Sequence, residues 1–177
     1  MDISNAVTIR PSAFQKCSNI AEFSTISCPN LTGQLSHAVF AECTQIVDVT
    51  DLGSITELGD LNSDWDPFYG CTNLETVVVP STVTSILRFL RNASNVRWVK
   101  LLCDSVPTTT LTRYENFGES WNPYRDRTGI YEGLTYPIYV KDSLYNSYIS
   151  DGALFQALAG VGRIKRLSEF ATDFPNG

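Results

Sequence analysis

The chain has 177 residues, of which 43% are hydrophobic and 18% charged, with a net charge of -6. That is enough chain for one domain, or one array of small repeats, around a sizeable core, and its charge argues against general attraction to nucleic acid or anionic lipid. No apolar run is long enough to span a bilayer, and the first residues carry neither the basic nor the apolar region of an export signal, which leaves localisation open.

In chain order, Val7 and Ile9 of "VTIRPSAF" read as a partial leading coil. A block then recurs four times: "AFQKCSNI" at 13–20, "VFAECTQI" at 39–46, "PFYGCTNL" at 67–74 and "FLRNASNV" at 89–96, at intervals of 26, 28 and 22 residues. Phe14, Phe40, Phe68 and Leu90 share its first slot. Cys17, Cys43, Cys71 and Ala93 share its second, and Ile20, Ile46, Leu74 and Val96 close it. Repeats of this period are the mark of a solenoid, in which each coil hides its apolar side only against its neighbours. A slot that takes cysteine or alanine suits a small buried side chain, so these thiols are expected buried and reduced. Cys28 and Cys103 lie outside the ladder, and no pair of cysteines has the spacing of a structural zinc site.

A period-two stretch follows each block. Leu74, Val77 and Val79 are matched by Val96, Val99 and Leu101, which reads as a turn into a short strand with these residues inward. The second coil matches through Ile46 and Val49 but then offers Asp51, with Leu52 one place late. The first offers Ile20 and Phe23 but then Thr25, so a bulge or shifted register is expected in both. By alternation the outward columns read Glu22, Asp48, Thr76, Trp98 and Ser24, Thr50, Val78, Lys100. Val83 with Ile86, and Ile55 with Leu58, mark the second half of each coil.

Residues 104–136 carry no repeat and hold Tyr114, Phe117, Trp121, Tyr124, Tyr131 and Tyr136 among polar residues. Such a segment is too long for an ordinary connection. Two readings stay open: it covers the apolar end of the last coil, or its aromatics, Trp121 foremost, offer a platform to a glycan or peptide. From 137 a closing segment is expected. "PIYV" reads as a strand, and a helix is expected after an N-cap at Asp142 or Ser143, burying Leu144, Tyr148 and Tyr145 or Ile149. A second helix presents Leu154, Leu158 and Val161 and ends at Gly160 and Gly162.

Residues suited to chemistry are few. His37, the single histidine, is expected at the surface, without a nucleophile motif around it. Asp60, Asn62, Asp64 and Asp66 alternate like the start of a calcium loop. Trp65 and Cys71, however, occupy the positions where such a loop needs glycine and glutamate, so a solvated loop is expected and no metal. "NLT" at 30 and "NAS" at 92 match a glycosylation pattern that is common by chance.

The strings "AFQKCSNI", "PFYGCTNLETVVVPSTVTSI" and "PIYVKDSLYNSYI" with "LAGVGRIKRLSEF" resemble the BspA-like, or treponemal-type, leucine-rich repeat family of gut and oral bacteria. The repeat resemblance covers about residues 1–103, and about 137–170 resembles the segment that often closes such repeats. Lys141 stands where that segment usually has proline. The resemblance implies an α+β fold: a right-handed leucine-rich-repeat solenoid of stacked strands and turns, closed by a strand and helix cap. It implies a partner-binding module, often at the bacterial surface, and no enzyme reaction or cofactor. The expected organisation is a solenoid at 1–103, an irregular aromatic segment at 104–136 and a cap at 137–177, all in one domain. The candidate binding residues are Glu22, Asp48, Thr50, Thr76, Trp98, Lys100 and Trp121, toward a protein or a surface glycan, with neither nucleic acid nor membrane insertion expected. The alternative is a glycan-binding or glycan-processing protein using the aromatic segment with Asp64, Asp66 or Glu119.

Overall fold

The computed structural model describes residues 3–19, 24–59, 65–87, 89–109, 136–150 and 153–175. The strands are β1 (Thr25–Ser27), β2 (Thr32–Leu35), β3 (Asp48–Asp51), β4 (Ser54–Leu58), β5 (Thr76–Val79), β6 (Ser85–Ile86), β7 (Trp98–Leu101), β8 (Ile138–Val140) and β9 (Ile164–Arg166). They form two parallel sheets. The long one runs β1-β3-β5-β7-β8-β9 and the short one β2-β4-β6. The chain is thus an α+β repeat solenoid whose coils visit a turn, a long-sheet strand and, in the earlier coils, a short-sheet strand.

The turn explains why phenylalanine and cysteine stand three apart. In each block the second-slot N–H donates to the first-slot carbonyl: Cys17 to Phe14 at 3.1 Å, Cys43 to Phe40 at 3.1 Å, Cys71 to Phe68 at 3.2 Å and Ala93 to Leu90 at 3.0 Å. The residue before the cysteine is left-handed every time, at Lys16 (φ 61), Glu42 (φ 60), Gly70 (φ 66) and Asn92 (φ 61). A positive φ at the third turn position alone is the type II pattern. Coils are then tied together across this column, with Phe14 N donating to Val39 O at 2.9 Å, Phe40 N to Pro67 O at 2.8 Å and Phe68 N to Phe89 O at 3.1 Å.

Inside, Phe14 stacks on Phe40 with centroids 5.4 Å apart, and Phe40 on Phe68 at 5.5 Å. The Cys43 thiol donates to Phe14 O at 2.9 Å and the Cys71 thiol to Phe40 O at 3.1 Å, so these two phenylalanine carbonyls each take a second hydrogen bond from the next coil. Cys43, Cys71, Cys28 and Cys103 are buried, Ala93 is 5% exposed and Leu90 is buried. Cys17, the first of the ladder, is only half-buried, since among the described residues no further ladder coil stacks on its outer side. All five thiols are free. The same core takes Val49, Val77 and Val99 from the long sheet and Leu35, Leu58 and Ile86 from the short one.

The first two coils show the shifted register expected of them. Ile26, not Thr25, points inward and pairs with Val49, while Thr25 pairs with Asp48, and the register then shifts between Ile26 and Ser27. Three more residues separate the cysteine from its inward strand residue in this coil than in the next, which moves the strand along. In the second coil Leu52 is buried and Asp51 half-buried, its carboxylate accepting from Gly53 N at 2.8 Å. Gly53 (φ 64) turns the chain from β3 into β4, and a Cβ there would sit 2.4 Å from Leu31 O. Only glycine allows that approach. Ile9 is buried as the leading coil requires, but Val7 is 56% exposed.

Residues 136–175 extend the long sheet by two strands. Ile138 pairs with Val99, and Ile164 with Ile138. Each strand is followed by a 3-10 turn and a helix: Asp142–Leu144 and α1 (Tyr145–Ser150) after β8, Leu167–Glu169 and α3 (Phe170–Asp173) after β9, with α2 (Ala153–Gly160) between. The expected side-chain cap at Asp142 or Ser143 is not made, since Lys141 occupies the cap position of that turn without a side-chain bond. Tyr148, Leu154, Phe155 and Leu158 join the core, with Leu144 and Tyr145 partly buried against it, but Ile149 and Val161 are exposed. Lys141, in the place of the usual proline, pairs with Asp104 at 2.5 Å.

Candidate binding face

Alternation along β1, β3, β5 and β7 puts one set of side chains in the core and the other on the outer face of the long sheet. Register aligns Thr25, Asp48, Thr76 and Trp98 in one outward row. Glu22, expected in that row, lies outside the described residues, and Thr25 takes its place. Val78 and Lys100 are aligned in the next row. Ser24 is exposed but precedes β1, so it is not the partner of Thr50.

On the first three strands this face is polar and open. Thr25, Ser27 and Thr50 are exposed, and Asp48, Thr76 and Val78 half-buried. Its polar groups are held by the sheet itself. The Thr76 hydroxyl donates to the Asp48 carboxylate at 2.5 Å, and Thr50 to Ile26 O at 3.3 Å. At the next step Arg97 pairs with Glu75 at 3.2 Å, an exposed pair of small energetic weight.

From β7 onward the face is covered by the chain's own end. Trp98, expected in an outward column as a binding residue, is 8% exposed, packed edge-on against Phe170 at 5.0 Å. Phe170 also meets Tyr139 edge-on at 5.1 Å and stacks with Phe174 at 5.4 Å. Asp173 accepts from the Tyr139 hydroxyl at 2.6 Å and pairs with Lys165 at 2.7 Å, and these bonds, the lysine's first, hold its carboxyl below the usual range. Burial, helped by Asp173, pushes the Tyr139 phenol up. Lys100 lies over Trp98 at 4.7 Å and Phe170 at 3.3 Å.

Of the expected binding residues, then, Asp48, Thr50 and Thr76 lie together on the open face, and Trp98 and Lys100 at its covered border. Trp121, like Asp60, Asn62, Asp64 and Glu119, lies outside the described residues. Asp66 is not in a solvated loop: it is 1% exposed, 3.6 Å from the Arg91 guanidinium and an acceptor for Arg91 N at 3.1 Å. His37 is half-buried, its carbonyl accepting from Ser12 N at 2.9 Å. Phe170, Phe174, Asp173 and Tyr139 were not among the expected residues. The alternation of "IYV" and the "FATDF" spacing were the available signals, but nothing in them says which face a four-residue helix crosses.

Burial raises Cys28, Cys43 and Cys103 to about 11, and Cys71 further still. These thiols are protonated at neutral pH, the poor state for a nucleophile or ligand. Among the described residues no three His, Cys, Asp or Glu side chains gather as they would around a metal ion, and no helix is long and apolar enough to cross a membrane. The family model for the BspA type leucine rich repeat region matches in six copies, over residues 1–63 and 65–107. No curated protein matches the chain.

Proposed function

The chain belongs to the BspA-type leucine-rich repeat family, and from that premise we propose that it is a non-enzymatic binding module whose partner docks on the outer face of β1, β3 and β5. The observation that carries this reading is the contrast on one sheet. Thr25, Ser27 and Thr50 stand exposed where no described segment covers them, while Trp98 and Tyr139 are sealed by Phe170. A surface whose hydroxyls and carboxylates are already fixed loses little side-chain entropy on binding. The open part spans roughly 10 Å from β1 to β5 at the usual strand spacing, which accommodates about three residues of an extended segment lying across the strands. Repeats of this family favour a protein segment as the partner in this reading. In the same reading the coil is right-handed, as parallel crossovers are, residues 137–175 are its cap, and the module works at a cell surface.

The test compares Thr50→Arg on this face with Thr84→Arg on the exposed side of the short sheet. Surface proteins retained by the wild-type chain should be lost with the first substitution and kept with the second. Equal retention by both would move the site off the long sheet. Retention of glycans in place of protein, read on a glycan array, would turn the partner class to carbohydrate.

A further inference from the structure

One outward row crosses the border of the open face: Val78 pairs with Lys100, Lys100 with Tyr139 and Tyr139 with Lys165. The chain itself shows what the far end of that row binds. Asp173 sets its carboxylate on Lys165 and the Tyr139 hydroxyl, and Phe170 and Phe174 lay their rings alongside on Tyr139. Lys100, in the middle of the row, has the rings without the carboxylate. Its ammonium lies 3.3 Å from the Phe170 centroid and 4.7 Å from that of Trp98, and among the described residues no ion pair reaches it. Aromatic faces answer its charge but leave its N–H donors unused. Burial holds its pKa below the ordinary lysine value, as for a cation whose lost hydration is not made good by a counter-charge.

We propose that Lys100 receives an acidic side chain of the partner. The bound segment carries aspartate or glutamate beside an apolar or aromatic residue, which rests on Val78 against the Phe170 ring. This rests on the outer face being the docking face and adds the chemistry of its occupant. The carboxylate would sit on Lys100 as Asp173 sits on Lys165 two strands along the same row, supplied by a second segment.

The probe is the blocked peptide LSEFATDFP, residues 167–175 of this chain, titrated calorimetrically into the full-length protein. Its neutral form carries Glu169→Gln and Asp173→Asn. We expect the acidic peptide to bind at least about tenfold more tightly than the neutral one, and Lys100→Met to abolish that difference, because methionine keeps the contacts with the rings and loses the charge. Lys100→Arg should keep it. Equal binding of the two peptides, or an undiminished preference in Lys100→Met, would overturn the inference. So would a loss of the preference in Lys165→Met with Lys100→Met unaffected, since the peptide would then have replaced the chain's own end. If Thr50→Arg removes the surface protein while Lys100→Met retains it fully, the docking face stands and the carboxylate receptor falls.

Discussion

Between β5 and β8 the long sheet keeps its inward ladder, with Val77, Val99 and Ile138 in register. Its outward side changes from Thr76 and Val78 to Trp98, Lys100 and Tyr139. The change follows from how each coil crosses over. In the repeats a four-residue turn carries the chain around the core, and nothing described returns to the outer face. After β9 the chain turns the other way, and α3 lays Phe170 across β8 and β7. An outward aromatic is expensive on a bare coil and useful on a covered one. The outward chemistry of a parallel coil therefore reports what lies above it, while the inward chemistry reports only the neighbouring coil.

The largest expected effects separate the two kinds of packing. Phe68 is fully buried and stacked on Phe40, and adjacent coils cannot close on a ring-sized gap. Phe68→Ala should therefore cost about 3–5 kcal/mol. Phe170 sits on the outside of the sheet, where a loosened α3 leaves no cavity, so Phe170→Ala should lose only the burial of a ring, about 1.5–3 kcal/mol. Urea unfolding gives both numbers, and hydrogen exchange distinguishes them: Phe68→Ala should expose β3 and β5 amides, Phe170→Ala only those of β9 and α3. If Phe170→Ala destabilised β3 and β5 as much as Phe68→Ala, the covered and uncovered halves would have to share one cooperative core.

How much of this was legible depended on whether the signal was periodic. The Phe14, Phe40, Phe68 and Leu90 slots and the valine ladders show in the sequence because every coil repeats the same burial. Alternation alone runs inward through Thr25 rather than Ile26, because the first repeat has extra residues between Cys17 and Ile26, and alternation cannot say on which side of a strand an insertion falls. The open half of the face followed from alternation once Val77 was placed inward. Its covered half did not, because the position of α3 depends on contacts that no repeat shares, those of Phe170, Asp173 and Phe174 with Trp98, Tyr139 and Lys165.

The thiols and phenols give a second, smaller contrast. Cys17 should label quickly in the native protein, and Cys43 and Cys71 slowly, because the ladder has a coil on both sides only from Cys43 onward. Equal labelling of Cys17 and Cys43 would deny that Cys17 is the more accessible of the two. The pH dependence has a definite sign. A cysteine of ordinary value near 9 that is raised to about 11 in the fold, as at Cys28, Cys43 and Cys103, binds more protons folded than unfolded between those values. Stability should be level below pH 9 and fall as pH rises toward 11. Tyr136, Tyr139 and Tyr148, also raised by burial, add to the loss above pH 10. Unfolding midpoints measured across this range should decline together. A rise would mean that these groups ionise more readily in the fold than out of it.

The smallest expected effect lies in the turn itself, where the repeats differ from one another. The residue before each cysteine has a positive φ, yet only the third repeat has glycine there, at Gly70; the others have Lys16, Glu42 and Asn92. A left-handed residue with a Cβ costs about 1–2 kcal/mol. Gly70→Ala should cost about that much, since the new Cβ would also lie 3.3 Å from Glu42 Cγ. Glu42→Gly should do the reverse. It gives up only the Lys16–Glu42 pair, 3.7 Å apart and largely exposed, of small weight, and releases the strain. Part of that gain is offset because glycine also frees the unfolded chain, so a net stabilisation of about 0.5 kcal/mol is expected. Thermal unfolding of the two single variants and the double variant decides it. If Glu42→Gly destabilised the chain as much as Gly70→Ala, the left-handed slot would not be strained in the second repeat. The side chain of Glu42 would then be contributing more than an exposed pair can.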